Sequence, residues 1–475
     1  MLEHRNFYIN GQWVAPSKPN DFAVIDPSTE EQCAVISLGS QADTDAAVAA
    51  AKAAFESWSQ TSKEERTKLL ERLLQVYNDR AEEMAQAISH EMGAPIDMSR
   101  SSQVTSGSWH LEGFLEAYKN FKFESPFTAS EMTLREPIGV CALITPWNWP
   151  MNQIMLKTAP AFATGCTMIL KPSEVAPLSG TLFADFVHEA GFPAGVFNMV
   201  NGDGVGVGSQ LSSHKDVDMV SFTGSTRAGI AISKAAADTL KRVSLELGGK
   251  GANIIFEDAD EKAVKRGAIH CFQNSGQSCN APTRMLVHKS RYDAAVAEAA
   301  AVAESTAVKP AAEQGRHIGP VVSELQFNKI QGLIEKGMSE ARLVAGGLGR
   351  PDGMNRGYFV KPTVFADVTN DMTIAQEEIF GPVLSIMSFE TEEEAIRIAN
   401  DTVYGLTNYV QTQDTEKRRR VARKLRSGMV ATNGQGFAKG SPFGGYKQSG
   451  NGREGGVFGM EEFLEVKAVS GWAAE

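Results

Sequence analysis

Cysteine is scarce in this chain: there are five in 475 residues, at Cys33, Cys141, Cys166, Cys271 and Cys279. An odd, sparse set does not make a disulfide framework, so a reducing compartment, the cytoplasm, is expected. Surplus positive charge is missing too. Lys and Arg total 46 against 57 Asp and Glu, a net charge of −11, which argues against the basic face that nucleic-acid phosphates require. No apolar run reaches the roughly 20 residues of a membrane span, so no membrane partner is expected. Met1-Leu-Glu-His-Arg5 is not followed by a long apolar stretch, so no secretory signal is expected either. The glycine fingerprint G-x-G-x-x-G is absent: Gly202, Gly204, Gly206 and Gly208 alternate instead. Alone, that run reads as well as a flexible strand-to-helix turn as it does as a phosphate loop.

What is present is an ordinary globular composition, 42% hydrophobic and 22% charged, with 44 glycines that suggest many tight turns. The length is too great for one core, so two or three domains are expected. Residues 6–36 read as short strands. Residues 41–119 read as mostly helical, with Asp43 and Ser62 as candidate N-caps, the latter followed by Glu65 at capping-box spacing. Residues 121–140 read as a projecting hairpin, with Phe121–Phe123, Met132–Leu134 and Ile138–Val140 as strands around a Pro126 turn. From 138 to 256 strand and helix alternate. Five strand-like runs end in Pro146-Trp-Asn-Trp-Pro150, Lys171-Pro-Ser-Glu174, Asn201-Gly-Asp-Gly204, Thr223-Gly-Ser225 and Glu246-Leu-Gly-Gly-Lys250. Repeated βα units imply a parallel sheet covered by helices, and ligands bind such sheets beyond the carboxyl ends of the strands. All five polar stretches fall there, which points to a nucleotide-like ligand. A second αβ pattern starts at 251. The basic run Lys417 to Arg426 has Val421, Ala422 and Leu425 at helical spacing, so it reads as a solvated helix face.

The stretch Phe272-Gln-Asn-Ser-Gly-Gln-Ser-Cys279 stands apart. A cysteine that only fills a core usually sits in an apolar run, whereas Cys279 follows small polar residues and Gly276. A tight loop there leaves the sulfur open on one side with backbone N–H groups near it. That suits a thiolate attacking a carbonyl and stabilising the oxyanion formed.

Seven motifs in order resemble the aldehyde dehydrogenase superfamily from about residue 7 to about 468. They are Pro146-Trp-Asn-Trp-Pro150, Lys171-Pro-Ser-Glu174, Phe222-Thr-Gly-Ser225, Glu246-Leu-Gly-Gly-Lys250, Gly276-Gln-Ser-Cys279, Glu378-Ile-Phe-Gly-Pro382 and Ser441-Pro-Phe-Gly-Gly445. The resemblance implies an α/β fold of two Rossmann-like αβα domains and a small β oligomerisation arm. Residues 1–120 and 141–247 would bind NAD, 248–454 would carry the nucleophile, and 121–140 with 455–475 would form the arm of a homodimer or homotetramer. It implies Cys279 as nucleophile, Asn148 as oxyanion donor and Glu246 as the base that releases the acid. Lys171 and Glu174 would hold the adenosine ribose, Gly224 and Ser225 the pyrophosphate at a helix start, and Glu378 and Phe380 the nicotinamide end. Trp147, Gly204 and Leu247 complete the implied cofactor contacts. NAD is expected over NADP, because the Glu174 carboxylate repels a 2′-phosphate. No metal is implied.

Two departures from the commonest family pattern are Trp149, where phenylalanine is frequent, and Ser278 and Asn280 flanking the nucleophile. Trp149, Phe437 and Phe443 would form an aromatic pocket wall, with Gln153 and Asn280 as polar contacts to an aldehyde substrate. Two other readings compete. A CoA-acylating enzyme generally lacks the glutamate found here as Glu246. A catalytically silent protein of the same fold would be free to lose Cys279, Asn148 and Glu246.

Overall fold

The computed structural model describes residues 2–472; residues 1 and 473–475, the outermost ends of the first expected domain and of the arm, lie outside the described residues. Two large sheets dominate. The first runs in the order Gly450–Asn451, Arg242–Glu246, Met219–Thr223, Val140–Ile144, Thr167–Lys171, Phe197–Met199, Phe7–Ile9, Gln12–Val14. Its middle five strands are parallel. Val140–Ile144 and Thr167–Lys171 are buried along their whole length, as β-rich apolar runs must be when helices cover both faces. Chain order reverses direction between Val140–Ile144 and Met219–Thr223, and that switch opens a crevice at their carboxyl ends.

The second sheet runs Arg342–Ala345, Thr363–Ala366, Val383–Phe389, Arg284–His288, Ala252–Ile255, Thr407–Gln411, Met429–Thr432. All but the antiparallel Arg342–Ala345 edge are parallel. Glu246 ends a strand of the first sheet and Ala252 begins one of the second, so Leu247 to Gly251 bridge the two. The carboxyl edge of one sheet thereby meets the amino edge of the other. Gly450–Asn451 pairs antiparallel with Leu245 and Glu246, tying a late segment of the chain back to the first sheet.

The expected hairpin and tail form one small sheet. Leu464–Ser470 pairs antiparallel with Glu131–Pro137, from Leu464 opposite Pro137 to Ser470 opposite Glu131. The hairpin differs in detail from the sequence reading. Its first strand is Glu124–Pro126, not residues 121–123. Phe121 and Phe123 instead pack ring to ring at 5.0 Å, so their burial overrides their strand preference. Residues 2–37 contribute a separate sheet in the order Leu2–His4, Glu31–Ser37, Asp21–Asp26.

Helix Gln41–Trp58 is capped by Ser40, not Asp43. Asp43 is the third helical residue and closes the capping box by accepting from Ser40 N at 2.8 Å. Ser62 caps Lys63–Asp79 with Glu65 reciprocating, as its spacing predicts. The alternating glycines form a π-helical turn, Gly204–Gly208, capped by Asp203. Basic helix Thr415–Lys424 buries only Val421. Its charges pair with acids, Lys417 with Glu257 at 2.7 Å and Arg420 with Glu392 at 2.6 Å.

Candidate active site

Helix Ala263–Phe272 ends just before the nucleophile stretch. Asn274 (φ 53°), Ser275 (φ 56°) and Gly276 (φ 73°) then turn left-handed in succession. Gly276 has no alternative here. A Cβ on it would lie 2.0 Å from the Gly381 carbonyl oxygen, so the turn packs directly on the Glu378-Ile-Phe-Gly-Pro382 motif. Ser275 Oγ donates to Gly319 O at 2.7 Å and Val322 N donates to Gln277 Oε1 at 2.9 Å, which fixes the turn from its far side. Cys279 follows, partly exposed and free. Burial raises its thiol pKa, and the negative charges of Glu378, Glu246 and Glu454 raise it further. The thiol therefore needs a base, or a change in its surroundings, to ionise.

Asn148 sits in the loop beyond strand Val140–Ile144, 3% exposed. Its Nδ2 donates to Gln277 O at 3.0 Å, so the loop beyond the first sheet meets the turn that carries Cys279. That amide nitrogen bears a second hydrogen, available to an oxyanion. Trp149 Nε1 donates to Ser278 Oγ at 2.8 Å. Two of the three residues that depart from the common pattern, Trp149 and Ser278, thus meet in one contact.

Glu246 is 2% exposed, and neither carboxylate oxygen has a hydrogen-bond partner. Burial raises its pKa well above the usual carboxylate range, and Glu454 adds to the shift; Lys157 and Arg453 oppose it. Lys157 and Glu454 form a buried ion pair at 2.6 Å. Gly249 lies against the nucleophile: a Cβ there would meet the Cys279 carbonyl oxygen at 2.2 Å. The segment after Glu246 and the turn before Arg284 are therefore in direct backbone contact.

A second group of residues gathers at the carboxyl edge of the first sheet. Lys171 Nζ donates to Gly202 O at 2.6 Å and lies 3.5 Å from Glu174 Oε2. Helix Thr226–Ala236 starts there, N-capped by Ser225, whose hydroxyl accepts from Ala228 N. Gly229 on that helix faces Leu247, leaving no room for a Cβ. Trp147 and Phe380 meet edge to face at 5.4 Å. Glu378 Oε1 accepts from Gly249 N at 2.7 Å, next to the nucleophile segment. Buried hydroxyls of Thr145 and Thr223 and both side-chain polar atoms of Asn201 are unpartnered. Thr145 and Thr223 stand at the switch point and Asn201 beyond the carboxyl end of Phe197–Met199, an orphaned polar set along the sheet edge that fits a dinucleotide.

Of the five expected pocket residues, Asn280 and Phe437 line one cleft of about 720 Å³ with Tyr409, His270 and Ile269. Gln153 is buried, its Nε2 turned to Asn152 Oδ1 at 3.4 Å. Phe443 pairs through its backbone with Glu454. Trp149 belongs to the Ser278 contact described above.

The chain matches the aldehyde dehydrogenase family model over residues 13–469. The chain belongs to the aldehyde dehydrogenase family. A Pseudomonas protein named 3-succinoylsemialdehyde-pyridine dehydrogenase is 51% identical, covering 99% of this chain and 99% of its own. The crystal structure of a Bartonella henselae aldehyde dehydrogenase is 59% identical with a TM-score of 0.99, covering 99% of this chain and 100% of its own. Aldehyde dehydrogenase C of Pseudomonas syringae, solved as a cysteine-to-alanine variant with NAD+ and octanal, is 49% identical with a TM-score of 0.98, covering 99% and 97%. The reaction of this aldehyde dehydrogenase is the oxidation of an aldehyde, carried through a cysteine thioester.

Sequence reasoning missed Lys157, Glu454, Gln103 and Asn274 as members of the site. Lys157 did leave a signal, as the one charged residue in helix Pro150–Thr164. The other three leave none, because their roles come from contacts across the fold.

Proposed function

We propose that this enzyme oxidises an extended aldehyde to its carboxylic acid with NAD, using Cys279, Asn148 and Glu246. The observation that carries the reading is the shared Gln277 carbonyl, which holds the Asn148 amide beside the Cys279 turn. Cys279 attacks the aldehyde carbonyl carbon. The oxygen gains the negative charge, and Asn148 Nδ2 with the Cys279 backbone N–H would donate to it. Bound NAD supplies the hydride acceptor, and the acyl group is left as a thioester on Cys279. Glu246 then takes a proton from the water that releases the acid. The Glu246 charge acts on the Cys279 thiol, which supports its placement beside the thioester.

Lys171, Glu174, Gly204, Gly224 and Ser225 would hold the adenosine and pyrophosphate end of NAD, and Trp147, Leu247, Glu378 and Phe380 the nicotinamide end. The orphaned polar atoms at the switch point support this placement. In this reading residues 1–120 and 141–247 form the cofactor unit and 248–454 the catalytic unit. An extended substrate is supported by the pyridine-bearing semialdehyde in the name of one relative and by the octanal bound to another. The arm, residues 121–140 and 455–475, would mediate a homodimer or homotetramer in the cytoplasm. Phe127 and Val466, 76% and 69% exposed, support an interface there.

NADH formation from NAD and a panel of aliphatic, aromatic and semialdehyde substrates tests the reaction. Absence of turnover with every member overturns it. Turnover that appears only on adding CoA favours the acyl-CoA alternative. Sedimentation as a 51.2 kDa species at micromolar concentration overturns the oligomer.

A further inference from the structure

We infer that Gln103 is a positioning residue for this reaction: its side-chain amide holds the Asn148 backbone and the Asn274 side chain, and through them the oxyanion donor and the Cys279 turn. The inference rests on the roles proposed above for Asn148 and Cys279.

Gln103 is fully buried. It ends a π-helical turn, Ser99–Gln103, set between Ile96–Met98 and the long helix Val104–Asn120. Such turns widen a helix by one residue and redirect a side chain, often toward a functional site. Gln103 Nε2 donates to Asn148 O at 3.1 Å and to Asn274 Oδ1 at 3.3 Å; among the described residues its one other acceptor is Met92 Sδ at 3.7 Å. Both oxygen acceptors belong to residues that flank the reaction.

The network then closes. Asn274 Nδ2 donates to Asn148 O at 3.0 Å and to Gln277 O at 3.2 Å. Asn148 Nδ2 donates to the same Gln277 O at 3.0 Å. The Asn148 carbonyl thus has both lone pairs engaged, which fixes the rotation of the peptide leading into Trp149. With that peptide fixed and one amide hydrogen on Gln277, the second Asn148 hydrogen has a set direction. Asn274 is left-handed at φ 53°, a conformation L-residues rarely adopt. Its side-chain bonds, including the one from Gln103, oppose relaxation of that turn. Gln103 touches no reacting atom, so its effect passes entirely through Asn148 and Asn274.

The test is rapid mixing of the intact enzyme with NAD and a substrate aldehyde, reading the rate constant and the amplitude of the NADH burst separately. Gln103→Met keeps side-chain length and removes the donor. The expected result is a burst rate constant lower by about 10–100-fold, because small misplacements of reacting groups cost that much, with NAD affinity unchanged. Gln103→Glu retains a donor only while its carboxyl is protonated. Its burst rate constant relative to wild type at the same pH is therefore expected to rise as pH falls. A merely structural residue would lower the amplitude with the folded fraction and leave the rate constant alone. A wild-type rate constant in Gln103→Met overturns the inference. If Gln103→Met does not fold, a pH-independent ratio in Gln103→Glu overturns it. Asn148→Ala separates the two layers of argument. A wild-type burst in Asn148→Ala refutes the oxyanion role itself, whereas a slow burst there with a normal one in Gln103→Met refutes only the part played by Gln103.

Discussion

Trp149 Nε1 donates to Ser278 Oγ at 2.8 Å, linking the residue after Asn148 to the residue before Cys279. In the sequence each stands out only as a departure from the commonest family pattern, with nothing to show that the two meet. Together they form a cross-sheet tie, parallel to the Asn148 to Gln277 contact at 3.0 Å. The indole is thereby held in one orientation beside the thiol.

Trp149→Phe removes the donor and keeps an aromatic ring. Stability is expected to fall by about 1 kcal/mol, the usual net value of such a bond. Ser278→Ala strands the indole N–H and should cost more, about 1–3 kcal/mol. A double-mutant cycle on denaturant unfolding checks the coupling; two fully additive losses would show that the contact carries no energy.

Cys279 and Glu246 are expected to fail at different steps. Cys279→Ala should show neither an NADH burst nor steady turnover. Glu246→Gln keeps the shape and loses the base, so hydrolysis of the thioester should slow by roughly 10²–10⁴. The readout is a burst approaching one NADH per site, then a near-stalled steady state. If Glu246 also ionises the raised Cys279 thiol, the burst slows as well. Steady turnover at the wild-type rate in Glu246→Gln rules the base role out.

Burial and Glu454 raise the Glu246 pKa, so the carboxyl is protonated below that pKa and acts as a base only above it. The hydrolysis step should therefore quicken as pH rises through it. Glu454→Gln removes a negative neighbour, which shifts this limb to lower pH. Lys157→Met does the opposite. Each single change also breaks an ion pair with side chains 1% and 5% exposed, at a cost of about 3–5 kcal/mol. The double change should lose less. Post-burst rates across pH check the order, and a limb that moves the same way in both single variants contradicts it.

On the proposed reading, cofactor choice turns on Glu174. Its carboxylate lies 3.5 Å from Lys171 Nζ, at the edge where the adenosine ribose is proposed to bind. A 2′-phosphate would add negative charge beside it, so kcat/KM with NAD should exceed that with NADP. Glu174→Gln should narrow the ratio. An equal or higher value for NADP in the unaltered enzyme contradicts the assignment.

Much of the fold was readable because it is written in local patterns. Fully buried strands such as Val140–Ile144 appear as short β-rich apolar runs, and the polar stretch after each one marks its carboxyl end. Ser62 announced its helix through Glu65. Asp43 misled, because a capping box contains two eligible residues and only backbone geometry tells which one is the cap. Phe121 and Phe123 misled for another reason: aromatic residues prefer strands, but burial against one another decided their place.

The sequence alone determined the family and the alternating βα order, and it singled out Cys279, Asn148 and Glu246 as the residues proposed for the chemistry. These reside in contiguous motifs whose chemistry is legible residue by residue. Only the tertiary structure decided that Trp149 pairs with Ser278, that Lys157 and Glu454 sit as a buried pair whose charges act on Glu246, and that Gln103 bonds to Asn148 and Asn274. Those partners are far apart in the chain. Their hydrogen bonds form where the carboxyl edge of one sheet meets the amino edge of the other, and no local periodicity encodes which side chains arrive there.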